Sequence, residues 1–260
     1  MTLQVIALPG GVNPAAIRYA PLASAVGDQV KLHLKDLEVY AEEEPPADYS
    51  IGLEVKALAR FADSIGLERF HLLGYSGGGF VSLAFAGAYP DRLLSLALFE
   101  PAGVPGERSG EETQFTNQLQ SALAGLNEGD FMRTFIAMQV RPGVTVHPPS
   151  GPQPAWMNKR RAGLAAMMAA FPAYGFDRAR YLECSFPVFI GYGDLTSEYE
   201  AVKVSVLARL LPDLRIRRFA GIHHFLPPEQ IYTRQHVQSL LELWTGAEAQ
   251  HHPKATIRAR

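Results

Sequence analysis

The chain has 260 residues, 47% of them hydrophobic, which is sufficient for one substantial core and favours a single large domain with an insertion over two equal domains. Because 24 Lys and Arg residues are balanced by 26 Asp and Glu, the formal charge is −2 and nucleic acid is not expected as a partner. The opening MTLQVIAL lacks a basic region and no apolar run approaches the ~20 residues that span a bilayer, so we expect a cytoplasmic protein without a membrane span.

In chain order, short apolar runs bounded by glycine or proline alternate with segments of helix length. Four runs have the continuous hydrophobicity of strands buried on both faces: LQVIALPG, RFHLLGYSG, LLSLALFEP and FPVFIGYG. Two further strands are predicted in QVKLHLKDLEVY and LRIRRFAG. Alternating strands and helices are typical of a mostly parallel sheet with helices on both faces, so the predicted fold class is α/β.

The composition changes between the third and fourth of these buried runs. EETQFTNQLQSALAGL, DFMRTFIAMQV and NKRRAGLAAMMAAF are predicted helices, and RPGVTVHPPSGPQPAW is a proline-rich loop between the last two. We therefore predict a core formed by residues 1–103 and 181–246, interrupted by a helical cap at 104–180. The polar segment 247–260 is predicted to be a flexible tail.

The segment Gly74-Tyr75-Ser76-Gly77-Gly78 follows a predicted buried strand and precedes a helix rich in small residues. This is the context that a nucleophile elbow requires, because the serine takes a strained backbone conformation and flanking glycines avoid collisions with neighbouring elements. The hydroxyl of Ser76 then lies at a helix N-terminus, where backbone dipoles favour developing negative charge.

With LPGG after the first strand, GYSGG at the elbow, a helical insertion and GIHHF near the end, the chain resembles the α/β-hydrolase superfamily over nearly its whole length. The resemblance implies an oxyanion hole formed by the backbone amides of Gly11 and Gly77. Many relatives have histidine where this chain has Pro9, but that side chain is not the oxyanion donor. The expected hole is therefore unaffected.

The segment GIHHFLPPE resembles the superfamily segment that carries the catalytic histidine, and its fourth position corresponds to His224. The neighbouring His223 stands where glycine is usual and remains an alternative. Four other histidines are expected to be structural or solvated, since metal-ligand spacing is absent. These are His33, His71, His147 and His236.

The acid of the triad has three candidates in this sequence. Most relatives place aspartate in a turn after a late strand, but this chain has Thr196 at that position, and threonine carries no charge. Asp194 lies two residues before that position, and Glu198 lies two residues after it. A second branch of the superfamily pairs a Glu-Pro after the preceding strand with Ser or Thr at the late turn. This pattern resembles the chain more closely and implies Glu100 as the acid, with Asp194 still open.

These residues predict a serine hydrolase that cleaves a small or medium, largely apolar ester through an acyl-enzyme, with no cofactor or metal. An acyltransferase, a carbon–carbon bond hydrolase and a non-catalytic ligand-binding relative stay open as alternatives. Apolar side chains at helical spacing in the insertion are expected to line the pocket in part, whereas Lys159, Arg160 and Arg161 are expected on a solvated face. The apolar set is Phe115, Phe131, Phe135, Met138, Trp156, Met167, Met168 and Phe171.

Overall fold

A computed structural model describes residues 2–146 and 154–251 of the chain. In this part, six parallel strands form one sheet in the order β2-β1-β3-β4-β5-β6. The strands are β1 (Leu3–Leu8), β2 (Val30–Leu34), β3 (Phe70–Tyr75), β4 (Leu93–Phe99), β5 (Val188–Gly193) and β6 (Leu214–Phe219).

The apolar content of each strand matches its place in the sheet. Every residue of the central strands β3 and β4 is buried, as their continuous hydrophobic runs predict. The edge strands β2 and β6 instead expose part of their residues, and both carry basic side chains. The sheet therefore forms the middle layer of the molecule, and β3 and β4 lie at its centre.

Helices cover both faces of the sheet. One face is packed by the apolar sides of α1 (Ala15–Val26) and α9 (Arg234–His251). The other face is packed by α2 (Ile51–Ser64), α3 (Gly77–Ala88) and α7 (Tyr199–Leu210). The predicted α/β class, a parallel sheet between two helical layers, is confirmed.

The chain between β4 and β5 is mainly helical in its described part. It contains α4 (Gly110–Leu123), α5 (Glu128–Ala137) and α6 (Arg160–Ala173). A buried ion pair between Arg178 and Glu112, with a nitrogen-to-oxygen distance of 2.8 Å, attaches the start of α4 to the segment that leads back to the sheet. Leu123, Phe135 and Leu164 of these helices belong to the same buried apolar cluster as the residues of α2 and α3.

The C-terminal region is helical for longer than its polarity predicts. After the short helix α8 (Pro228–Ile231), α9 continues to His251, so the first five residues of the expected tail at 247–260 are helical. Ala247 is fully buried against the core, which explains the extension. The remaining residues of that segment, 252–260, lie outside the described residues, as do 147–153 of the proline-rich loop.

None of the helices within residues 2–146 and 154–251 combines the length and the apolar character that crossing a membrane demands.

Candidate active site

Ser76 occupies the sharp turn between β3 and α3. Its φ of 53° is in the left-handed region, which strains a residue that has a side chain. Glycines permit the turn: a Cβ added at Gly78 would lie 2.3 Å from the Pro9 carbonyl oxygen, and one at Gly74 would lie 2.4 Å from Ser82 Oγ. The turn holds the Ser76 hydroxyl at the N-terminus of α3, where the helix dipole favours negative charge.

The side chains of Ser76, His224 and Glu100 form one hydrogen-bonded line. The Nε2 atom of His224 lies 3.0 Å from Ser76 Oγ, and its Nδ1 atom lies 2.7 Å from Glu100 Oε2. These distances fit a neutral imidazole whose Nδ1–H donates to the carboxylate while Nε2 accepts the serine hydroxyl. In this geometry Nε2 can take the hydroxyl proton while the carboxylate orients the ring.

Glu100 directly follows β4 and is fully buried, with a positive φ of 46°. Its Oε1 atom accepts hydrogen bonds from Thr196 Oγ1 at 2.5 Å and from the Gly193 backbone N–H at 2.7 Å. Burial by itself would raise the pKa of Glu100, but the hydrogen bonds from His224, Thr196 and Gly193 outweigh it and hold the pKa below its ordinary 4.5. The carboxylate is therefore charged at neutral pH and fully hydrogen-bonded.

The other two acids considered at the late turn lie away from the imidazole. Asp194 Oδ1 accepts a hydrogen bond from the Gly221 backbone N–H at 2.7 Å. Its own N–H donates to the Phe219 carbonyl, so Asp194 connects the turn after β5 to the loop that carries the histidines. Glu198 is exposed at the start of α7. Of the three candidate acids, the structure brings only Glu100 to His224.

Two adjacent histidines follow β6, and only one of them points to the serine. The ring of His224 is stacked on the ring of Tyr75, with centroids 5.0 Å apart, and the Tyr75 hydroxyl donates to the His224 carbonyl. Burial lowers the pKa of His224 below 6.5, although the hydrogen bond and charge of Glu100 act in the opposite direction. His223 instead accepts a hydrogen bond from the Phe225 N–H at 3.2 Å.

The loop after β1 lies against the elbow. A Cβ added at Gly77 would be 3.8 Å from the Gly11 nitrogen, so these two backbone amides are close together. Gly77 is the first residue of α3, and its N–H has no partner within the helix. The Tyr40 hydroxyl donates to the Gly11 carbonyl at 2.7 Å and fixes the loop. Gly11 and Gly77, the two residues expected to supply the oxyanion-hole amides, are thus neighbours beside the elbow.

Two basic residues at the start of α6 contact Tyr40, and the sequence did not predict these contacts. The expectation of a solvated face is wrong for Arg160, which is 3% exposed because its guanidinium stacks 3.9 Å above the Tyr40 ring. Lys159 donates to the Tyr40 carbonyl at 2.7 Å, and Arg161 donates to the Leu126 carbonyl at 3.0 Å. The inserted helix thus stabilises the loop that carries Gly11.

Ser76 opens onto a cavity of about 1030 Å³ between the sheet and the inserted helices. Its lining is mostly apolar and comes from α4, α5, α6 and the loops at the carboxyl ends of the strands. Six of the eight apolar residues singled out in the sequence line it: Phe115, Phe135, Trp156, Met167, Met168 and Phe171. Phe131 is instead buried in the core, and Met138 is not among the lining residues.

Three buried residues of the lining, an arginine, a glutamate and a lysine, were also missed. Arg18 of α1 is 4% exposed, at a position where the buried stripe of an amphipathic helix is normally apolar. Glu200 and Lys203 of α7 form an ion pair with a nitrogen-to-oxygen distance of 2.5 Å, and burial raises the pKa of Glu200 to about 7. The only signal in the sequence was a charge at an otherwise apolar helical position.

The remaining histidines have structural surroundings where they are described. His71 and His236 are buried, and burial lowers the pKa of each to about 4. The partners of His33, His71 and His236 are, respectively, Gln4 Oε1 at 2.9 Å, Ser95 Oγ at 2.8 Å and the Ile231 carbonyl at 3.1 Å. His147 lies outside the described residues, among which no group of three or more His, Cys, Asp or Glu side chains is placed to hold a metal ion.

Parts of this chain are similar in sequence to known proteins. A family model described as the alpha/beta hydrolase fold matches residues 31–139. Monoacylglycerol lipase abhd6-A of Xenopus laevis is 46% identical over 59 residues, which cover 22% of this chain and 18% of that protein. N-formylmaleamate deformylase of Pseudomonas putida is 28% identical over 138 residues, 51% of each chain. The chain therefore matches less than a quarter of that lipase and about half of the deformylase.

Solved structures agree over almost the whole chain. A thermophilic esterase from Thermogutta terrifontis superimposes with a TM-score of 0.70 at 18% identity, covering 95% of this chain and 91% of that one. Carboxylesterase CesB from Bacillus subtilis gives a TM-score of 0.65 at 19% identity, covering 94% and 84%. At such identities the likeness concerns the fold. Together with the matched family model and the six-stranded parallel sheet, it shows that this chain has the α/β-hydrolase fold.

Proposed function

We propose that the protein is a serine hydrolase that cleaves carboxylic esters through an acyl-enzyme. The observation that carries this proposal is the continuous line from Ser76 Oγ through the His224 ring to Glu100, at distances of 3.0 and 2.7 Å, on the wall of a large apolar cavity. The presence of a lipase and a deformylase among the relatives supports acyl chemistry.

In the first step, His224 Nε2 takes the proton of Ser76 as Oγ attacks the carbonyl carbon of the ester. The negative charge that develops on the carbonyl oxygen is stabilised by the N–H groups of Gly11 and Gly77. The imidazolium, held by Glu100, then gives its proton to the leaving alcohol. The products of this step are a free alcohol and an ester between the acyl group and Ser76.

In the second step, water enters the place that the alcohol has left. His224 removes a proton from this water, the resulting oxygen attacks the acyl carbon, and the same two amides again stabilise the charge. Return of the proton to Ser76 Oγ releases the carboxylic acid and restores the enzyme. Glu100 stays charged throughout, because three hydrogen bonds stabilise its carboxylate.

We further propose that residues 104–180 act as a cap on a core formed by 1–103 and 181–246, and that the substrate is a small or medium, largely apolar ester. Aromatic and methionine side chains of the insertion face the cavity beside Ser76, and Met167 lies close enough to Gly77 that an added Cβ would contact its Cε at 2.5 Å. Such a lining favours burial of acyl chains over polar groups.

A fluorophosphonate probe tests the nucleophile directly. We expect stoichiometric labelling at Ser76 and hydrolysis of p-nitrophenyl esters, both lost in Ser76→Ala. The matched control is Ser64→Ala, an exposed serine at the end of α2, which should retain both. An unlabelled wild-type protein would contradict the proposal and leave a ligand-binding role. Labelling without ester turnover would direct attention to acyl transfer or carbon–carbon bond cleavage.

A further inference from the structure

Arg18 is a buried cation on the wall of the same cavity as Ser76. It belongs to the inward face of α1, together with Ala15, Tyr19 and Leu22, and only 4% of it is exposed. Its exposed part adjoins the cavity rather than the outer surface, because Arg18 is one of the cavity's lining residues. A full positive charge is thus placed where the helix would normally present an apolar side chain.

This guanidinium has no counterion among the described residues. Its Nε and Nη1 atoms are buried without a hydrogen-bond partner, and none of the ion pairs formed in this part of the chain includes it. Its one favourable contact is with the ring of Tyr75, whose centroid lies 4.0 Å from Cζ. A cation–π contact offsets only part of the cost of burying a charge, so an anion is expected to complete the site.

Tyr75 connects this cation to the reacting groups. It immediately precedes Ser76 in the chain, and its ring also stacks on His224. Arg18 and His224 thus contact the same aromatic ring. Of the other cations in the lining, Lys203 is paired with Glu200 and Arg133 with Asp130, and Arg108 is only partly buried. Among the described residues, Arg18 is therefore the buried cation of the lining that forms no ion pair.

We propose that Arg18 binds a carboxylate of the substrate, so that the preferred ester carries one negative charge at a distance from the ester carbonyl. The charge of this one buried guanidinium matches a monovalent carboxylate, and its planar shape presents its donors in the geometry that a carboxylate accepts. This inference rests on the proposed hydrolase function and defines its substrate as a half-ester of a dicarboxylic acid.

The test compares esters of equal length with and without the terminal charge. Mono-p-nitrophenyl adipate is paired with p-nitrophenyl hexanoate, and mono-p-nitrophenyl suberate with p-nitrophenyl octanoate. We expect the wild-type protein to have the higher kcat/KM for the charged member of at least one pair. In Arg18→Gln the ratio of charged to neutral kcat/KM should fall about 10- to 100-fold, mainly through KM. Arg18→Lys should retain part of the preference, and Arg209→Gln, an exposed arginine of α7, should retain all of it.

Binding separates this inference from the proposed function. In Ser76→Ala, monomethyl adipate should bind more tightly than methyl hexanoate by calorimetry, and Arg18→Gln added to Ser76→Ala should remove the difference. If ester turnover depends on Ser76 but the wild-type protein prefers the neutral esters, the carboxylate subsite is refuted and the hydrolase stands. If Ser76 proves dispensable while binding of the half-ester depends on Arg18, the subsite stands and the hydrolase fails. A variant that does not fold leaves the wild-type preference as the deciding result.

Discussion

Replacing Glu100 by Gln tests the proposed acid with almost no change in side-chain shape. The carboxylate accepts three hydrogen bonds, from His224 Nδ1, Thr196 Oγ1 and the Gly193 N–H, at 2.7, 2.5 and 2.7 Å. A glutamine has one oxygen and one NH₂ group to meet these three donors. Because the Gly193 N–H cannot accept, the amide oxygen is expected to stay there, and the NH₂ group then faces His224.

An NH₂ group beside Nδ1 forces that nitrogen to become an acceptor, so the ring proton moves to Nε2. Nε2–H cannot take a proton from Ser76, and the positive charge of the imidazolium also loses its partner. Losses of about 10⁴-fold in kcat are typical when a triad acid becomes an amide, which corresponds to ~5 kcal/mol in the barrier. We expect a loss of this size in Glu100→Gln.

The assay is the steady-state hydrolysis of p-nitrophenyl hexanoate, with circular dichroism to verify the fold. Asp194→Asn is the matched control, because it removes the same charge from a side chain that accepts only the Gly221 N–H. Its kcat should change less than about threefold, since surface changes of this kind cost little. A larger loss in Asp194→Asn than in Glu100→Gln, or equal mild losses in both, would refute the assignment.

Three further outcomes follow from the structure. Gly78→Ala should destabilise folding by about 3 kcal/mol or more in urea titrations, because its Cβ meets backbone oxygens at 2.3 and 2.6 Å, whereas Gly77→Ala meets the flexible Met167 and should reduce turnover more than stability. A stable Gly78→Ala protein would contradict this. Protonated His224 cannot act as a base, so kcat/KM should fall with decreasing pH at a midpoint below 6.5, since burial lowers its pKa; a midpoint above 6.5 would argue against it. Because the pKa of Glu200 is raised to about 7, the folded protein holds this proton more tightly than the unfolded chain does. The free energy of unfolding should therefore fall as the pH rises from 4.5 through 7. Between pH 4.5 and 7 the unfolding free energy of the wild type should therefore fall by up to ~3 kcal/mol relative to that of Glu200→Gln. Unfolding free energies that change in parallel with pH in the two proteins would contradict this prediction.

Backbone geometry allowed Ser76 to be selected from the sequence, whereas Glu100 and His224 were selected through the resemblance to the α/β-hydrolase superfamily. The elbow at Ser76 needs glycines at fixed offsets, and those offsets are visible in GYSGG. The preference for Glu100 over Asp194 rested on the resemblance to a branch of the superfamily that has Glu-Pro after the preceding strand and Ser or Thr at the late turn, where this chain has Thr196. In the structure that threonine donates to Glu100, so the absence of an aspartate was itself the informative signal.

Long-range pairings had no comparable signal. The basic run at Lys159 and Arg160 was interpreted as a solvated face, yet both residues contact Tyr40. Tyr40 lies 119 residues before Lys159 in the chain. A pattern of charges gives the face of a helix but not the element that will cover it. The helical continuation to His251 was missed for the same reason, because burial of Ala247 depends on the sheet face that α9 meets.

By itself, the sequence determined the alternation of strands and helices, the parallel sheet and the identity of the elbow, because these depend on local hydrophobic periodicity and backbone restriction. Only the tertiary structure decided which carboxylate meets His224, how the inserted helix holds Tyr40 and the Gly11 loop, and that Arg18 lies unpaired beside the cavity. Those features depend on where distant side chains meet in space, and such meetings follow from packing of the whole chain, which short stretches of sequence do not encode.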